Sequence, residues 1–149
     1  MSFFVFLAEL VVCCGYALIR GGPPERVGAG LLVGAFALGF PVHLALGADG
    51  FLTANVALMA IDVALLAALV VLAHRSTRFW PLWVAGWQLA SVIAHVAKVL
   101  DPTMHATGYA IQAQIWGYPM VLAIAIGTAR HRRRRRSGGT DPAWKTFPI

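Results

Sequence analysis

Seven polar side chains interrupt long apolar runs: Glu9, His43, Asn55, Asp62, Gln88, His95 and Gln112. Carboxylates, imidazoles and carboxamides hold ligands, move protons and coordinate metals. At the centre of a bilayer a charged side chain costs roughly 2.5–3.5 kcal/mol on insertion scales, so such groups need a reason. Helical spacing sorts them. Asn55, Met59 and Asp62 step by four and three residues and share one face. Gln88, Ser91, His95 and Lys98 step by three, four and three and form one polar stripe. Gln112 and Gln114 lie about 200° apart on a helix, so they cannot both face one interior.

Several chemistries fit these residues. One is an outward-opening polar cavity, lined by all seven, that holds a small ligand, a lipid headgroup or a partner helix. A second uses His43 and His95 as axial ligands of a b-type haem, or with His105 and Asp101 as ligands of a divalent metal. A third is a proton relay through Glu9, Asp62, His95 and Lys98, although only Cys13, Cys14 and Tyr16 continue it into the other half. Ser91 one turn before His95 is the single nucleophile candidate; no G-x-S-x-G, H-E-x-x-H or Walker-type loop occurs. Against all of these stands plain interhelical hydrogen bonding, worth about 0.6 kcal/mol per contact on average in membrane proteins.

The elements that position these groups follow from composition. Of 149 residues, 59% are hydrophobic and 12% charged, and mean hydropathy is +0.73. A soluble domain averages about 45–50% apolar and 25% charged, and a disordered chain is more polar still. The composition implies a bilayer. Five apolar stretches, at about 2–19, 27–47, 51–73, 79–100 and 107–129, each approach the ~20 residues needed to cross it. The expected fold is all-α: a polytopic bundle of five transmembrane helices over residues 1–130, followed by a flexible basic tail over 131–149. The first stretch has no basic n-region and carries Glu9, so it reads as a retained span and not a signal peptide. No internal repeat suggests an inverted-repeat transporter.

Charge sets the orientation. Arg20, Arg26, Arg75, Arg78, six arginines in 130–136 and Lys145 fall on one side, against Lys98 on the other. Eleven against one predicts N-out/C-in. Trp80 and Trp83 then suit an inner aromatic belt and Tyr109 an outer one. In that frame every helix brings one polar group to the outer third: Glu9 roughly 10 Å deep, and His43, Asn55, His95 and Gln112 roughly 6–8 Å deep. The inner third offers nothing comparable. Helix packing is expected through Gly30-x3-Gly34, Ala60-x3-Ala64, Ala90-x3-Ala94 and Ala123-x3-Gly127, and kinks at Pro41 and Pro119.

Half of the twelve Lys+Arg residues lie in 130–136, and the remaining body is neutral. The basicity therefore describes an anchor and not a nucleic-acid-binding domain. Arg130, Arg132, Arg133, Arg134, Arg135 and Arg136 are expected at anionic lipid headgroups. Cys13 and Cys14 have no disulfide or zinc spacing and read as small apolar fillers. Richness in Ala, Gly and Arg fits a high-GC bacterium. The expectation is a non-enzymatic accessory or binding subunit of a bacterial inner membrane, with lipids, another membrane protein or a second copy as partners. The alternative is the haem- or metal-binding redox protein.

Overall fold

A backbone surrounded by hydrocarbon must satisfy its own N–H and C=O groups, and an apolar run does so by becoming a helix. The computed structural model describes residues 3–46, 51–101, 115–138 and 141–146, and of residues 43, 46 and 51–55 only the backbone. Five helices account for most of them: α1 Phe3–Arg20, α2 Pro23–Leu46, α3 Phe51–Arg75, α4 Trp80–Leu100 and α5 Gly117–Arg136. The described residues contain no strand, only an isolated antiparallel bridge between Ser76 and Trp144. Four helices, α1 to α4, are long and apolar enough to cross a membrane, which fits a multi-pass membrane protein. The expected fifth span at 107–129 falls partly outside the described residues, and His105, Tyr109, Gln112 and Gln114 lie wholly outside them.

Two boundaries differ from the sequence expectation. Helix α2 begins at Pro23 rather than near 27, because proline's fixed φ suits a first helical turn and its missing N–H is not needed there. Glu25 joins that turn, facing the positive end of the helix dipole. Helix α5 runs on through the arginines to Arg136, where the expectation began a tail at 131. Arginine is a good helix former, and cations favour the negative C-terminal end. Ser137 closes the helix by donating its N–H to the Arg133 carbonyl, and Gly138 leaves it at φ 72°, in the left-handed region. Pro119 stands in the first turn of α5, so its missing donor breaks no intrahelical bond.

Gaps of two to four residues separate α1 from α2, α2 from α3 and α3 from α4, which makes these helices antiparallel neighbours. Each helix packs on the next, α5 returns to α1, and α2 also touches α5 across the ring. Gly117 and Tyr118, at the start of α5, meet Phe6 near the start of α1, while His131 near its end meets Gly22. The basic segments thus gather at one end of the bundle, with the start of α1 and the end of α4 at the other.

The core is a column of Leu10, Cys14, Leu32, Leu69, Val84, Val121 and Ile124. Much of what a soluble protein would hide faces outward instead: Phe4, Val12, Ile19, Leu38, Ile93 and Leu100 are exposed. Exposed apolar surface on this scale belongs to a membrane or a partner. Of the small-residue motifs, Ala123-x3-Gly127 packs in the core and Gly30-x3-Gly34 does not. Gly30 and Gly34 look onto open space, whereas Gly28 of α2 and Gly127 of α5 hold the Trp80 indole between them. Trp80 is therefore a buried wedge and not a belt residue; Trp83 is the exposed one, at 55%.

Candidate functional site

Helix α3 carries Asp62 eleven residues from its start, roughly 17 Å along the axis. Helix α4 meets it with the polar stripe, whose four members Gln88, Ser91, His95 and Lys98 are all buried. Ser91 Oγ donates to Asp62 Oδ2 at 3.1 Å, and His95 Nε2 lies 2.9 Å from the same oxygen. Gln88 Nε2 donates to the Asp62 backbone carbonyl at 3.1 Å. Three side chains of α4 thus converge on one residue of α3.

This geometry sorts the chemical alternatives. In a Ser–His–Asp arrangement the imidazole stands between hydroxyl and carboxylate and takes the hydroxyl proton. Here the carboxylate stands between Ser91 and His95, so the hydroxyl is directed at Asp62 and not at the imidazole. For haem or metal ligation, His95 Nε2 is already engaged by Asp62, and the His43 side chain is outside the described residues. Among the described residues no three His, Cys, Asp or Glu side chains converge on a point.

Beside Asp62 lies a cavity of about 360 Å³. It runs from Phe3, Phe40 and Gly117 at the end of the bundle down to Leu10, Leu65 and Val121. Asp62, Gln88 and Ser91 supply its polar wall. The rest is apolar, and five of its side chains, Phe3, Phe6, Phe36, Phe40 and Tyr118, are aromatic. Phe3, Phe36 and Phe40 stack with ring centroids 5.5–6.3 Å apart, and Phe6 meets Tyr118 edge-on at 5.3 Å. Of the seven residues expected to line a cavity here, Asp62 and Gln88 do so. His95 is one layer behind, against Asp62. Glu9 is half-buried on α1 and does not line it. The side chains of His43 and Asn55, and Gln112 altogether, lie outside the described residues. The phenylalanines escaped the sequence reading because in an apolar span they look like any lipid-facing residue; their recurrence at Phe3, Phe6, Phe36 and Phe40 near helix ends is the only signal.

The opposite end of the bundle holds a second polar group, where the sequence suggested none. Glu25 is fully buried, accepts a hydrogen bond from Trp80 Nε1 at 3.2 Å, and pairs with Arg78 Nε at 3.3 Å. Arg78 also grips Asp141 with both terminal nitrogens, Nη2 to Oδ2 at 2.8 Å and Nη1 to Oδ1. His131 Nδ1 lies 2.6 Å from Asp141 Oδ2, and Arg134 Nε donates to Oδ1 at 2.9 Å. Burial opposes ionisation of Asp141. Hydrogen bonds from Arg78 and His131, with the charges of Arg78 and Arg134, outweigh it and hold the carboxyl at about 2, below its ordinary 3.8.

The segment that carries Asp141 is docked and not free. Lys145 N–H donates to the Arg75 carbonyl at 2.8 Å, Thr77 N–H donates to Ala143 O at 3.2 Å, and the Thr77 hydroxyl donates to Pro142 O. Next to this cluster a cavity of about 510 Å³ lies between Gly22, Arg26, His131 and Arg135.

No protein-family model, curated protein or solved structure matches the chain.

Proposed function

We propose that this chain is a non-enzymatic binding subunit of a bacterial cytoplasmic membrane, and that the cavity beside Asp62 holds a small amphiphilic ligand. The observation that carries this reading is the cavity's division into an apolar, partly aromatic wall and one polar patch. Ligand sites are mostly apolar, with a few placed polar groups that fix orientation, and about 360 Å³ is at the lower end of their usual size. Hydrogen bonding between helices explains the contact of His95 with Asp62, but it does not require an open volume next to them.

The proposed topology has five spans, with the amino terminus outside and the carboxy terminus inside. The clustering of Arg20, Arg26, Arg75, Arg78 and the α5 arginines at one end supports it through the positive-inside rule. The ligand cavity then opens toward the outer leaflet. At the basic end, Arg26 and Arg135 flank the 510 Å³ cavity and, with Arg130, Arg132, Arg133, Arg134 and Arg136, face anionic headgroups, each worth about 1 kcal/mol near the surface.

The test is to purify the full chain under mild conditions and identify co-purifying small molecules by mass spectrometry. Ala35→Trp, which fills the cavity, should release a molecule retained by the wild type. Retention of the same molecules by both proteins would overturn the reading. Reporter fusions check the topology: a periplasmically active reporter after Ile149 would reverse it.

A further inference from the structure

We propose that the cavity selects a small organic amine in its protonated form, the ammonium against Asp62 and the apolar body against the phenylalanines. This rests on the binding reading above and names the class of ligand. Three observations carry it. First, Asp62 is the only residue in the described wall with a formal charge; Glu9, His95 and Lys98 do not line it. Second, the stripe directs donors at Asp62. Ser91 has one hydroxyl proton and spends it on Asp62 Oδ2; Gln88 directs its carboxamide nitrogen at the Asp62 carbonyl, and His95 Nε2 also faces the carboxylate. The Asp62 side chain keeps 23% of its surface open, so the patch offers a carboxylate acceptor. An acceptor is complemented by a donor. Third, the cavity onto which that carboxylate opens is also lined by Phe3, Phe6, Phe36, Phe40 and Tyr118. Aromatic faces attract cations, increasingly so when water is excluded, and they repel anions. An anionic ligand would meet like charge at Asp62; a neutral hydrocarbon would leave the carboxylate facing apolar surface. A protonated amine satisfies both walls.

Three probes of one shape and different heads test this: 4-phenylbutylamine, 4-phenylbutan-1-ol and 4-phenylbutanoate. Each is titrated into the full chain in nanodiscs by calorimetry at pH 7, with protein-free discs subtracted. The amine should bind about tenfold or more tighter than the alcohol, a difference of about 1.4 kcal/mol, and the carboxylate weakest. Asp62→Asn should bring amine and alcohol to within about threefold of one another. Phe36→Ala should weaken both. Equal binding of amine and alcohol, or tightest binding of the carboxylate, would overturn the amine assignment; if Ala35→Trp still abolishes that binding, the cavity remains a ligand site. Binding that ignores Ala35→Trp overturns both. Should that variant fail to fold, a diazirine derivative of the amine replaces it on the wild type. Labelling of α1, α2 and α5 around Phe6, Phe36 and Tyr118 is the expected result, and labelling confined to other surfaces overturns the proposal.

Discussion

His95 Nε2 and Asp62 Oδ2 stand 2.9 Å apart, joining α4 to α3 through the same carboxylate that forms part of the cavity wall. The pair joins two helices on one side and borders the cavity on the other. Its energetic part is measurable on its own. Interhelical polar contacts in a membrane average about 0.6 kcal/mol and reach ~1.7. A double-mutant cycle with Asp62→Asn and His95→Ala, read by reversible unfolding in mixed micelles, should give a coupling in that range. A coupling indistinguishable from zero would remove the contact from the account of how α3 and α4 pack.

Arg78 carries a heavier load. It bridges Glu25 and Asp141 while 5% exposed, so its removal leaves two carboxylates without their shared cation. Breaking a buried pair in this way costs about 3–5 kcal/mol. Arg78→Ala should lower the unfolding free energy by that much, and Arg78→Lys should recover only part, because an ammonium cannot match the two-pronged grip on Asp141. Equal stability of wild type and Arg78→Ala would show the cluster to be solvated.

The docking of residues 141–146 should depend on acid in a defined window. The Asp141 carboxyl is held at about 2 in the folded chain against an ordinary 3.8. A lowered folded value means that the stabilisation is fully present above about pH 3.8 and declines as pH falls toward 2. Amide exchange of Lys145, whose N–H is bonded to Arg75, should therefore be slow at pH 5 after correction for intrinsic rates. Its protection should fall between pH 4 and pH 2. Asp141→Asn should abolish that dependence; an unchanged profile in the variant would assign the effect to another group.

Trp80 leaves no room on either side. A methyl group at Gly28 or Gly127 would collide with the indole. Gly28→Ala and Gly127→Ala should each cost about 1–3 kcal/mol, the usual price of overpacking, and Gly30→Ala, beside open space, much less. Thermal unfolding of the three variants ranks them. If Gly30→Ala is the most damaging, the packing described around Trp80 is wrong.

What sequence could show was set by the range over which each signal acts. Apolar runs and their charged borders act locally, so the helices were readable, and the three-four-three spacing of Gln88, Ser91, His95 and Lys98 gave a shared face directly. That Asp62 is the residue it meets depends on how α3 and α4 pack, which spacing on one helix does not contain. The Glu25 cluster was missed for the same reason on a larger scale. Asp141 is the one acidic residue beyond Asp101, surrounded by arginines, and its partner Arg78 is 63 residues earlier. Pro23-Pro24-Glu25 held a legible clue, since proline followed by an acid marks a helix start, but it resembles a loop when bordered by Gly21 and Gly22.

The bridge from Arg78 to Asp141 also imposes an order on biosynthesis. At ~5–20 residues per second the ribosome needs roughly 3–13 s to add the 63 residues that separate them. Throughout that interval Arg78 is already made and has Glu25 but not its second carboxylate. A nascent chain released before Asp141 therefore differs at its basic end from one that includes it, and residues 141–146 serve as the closing stitch that satisfies Arg78.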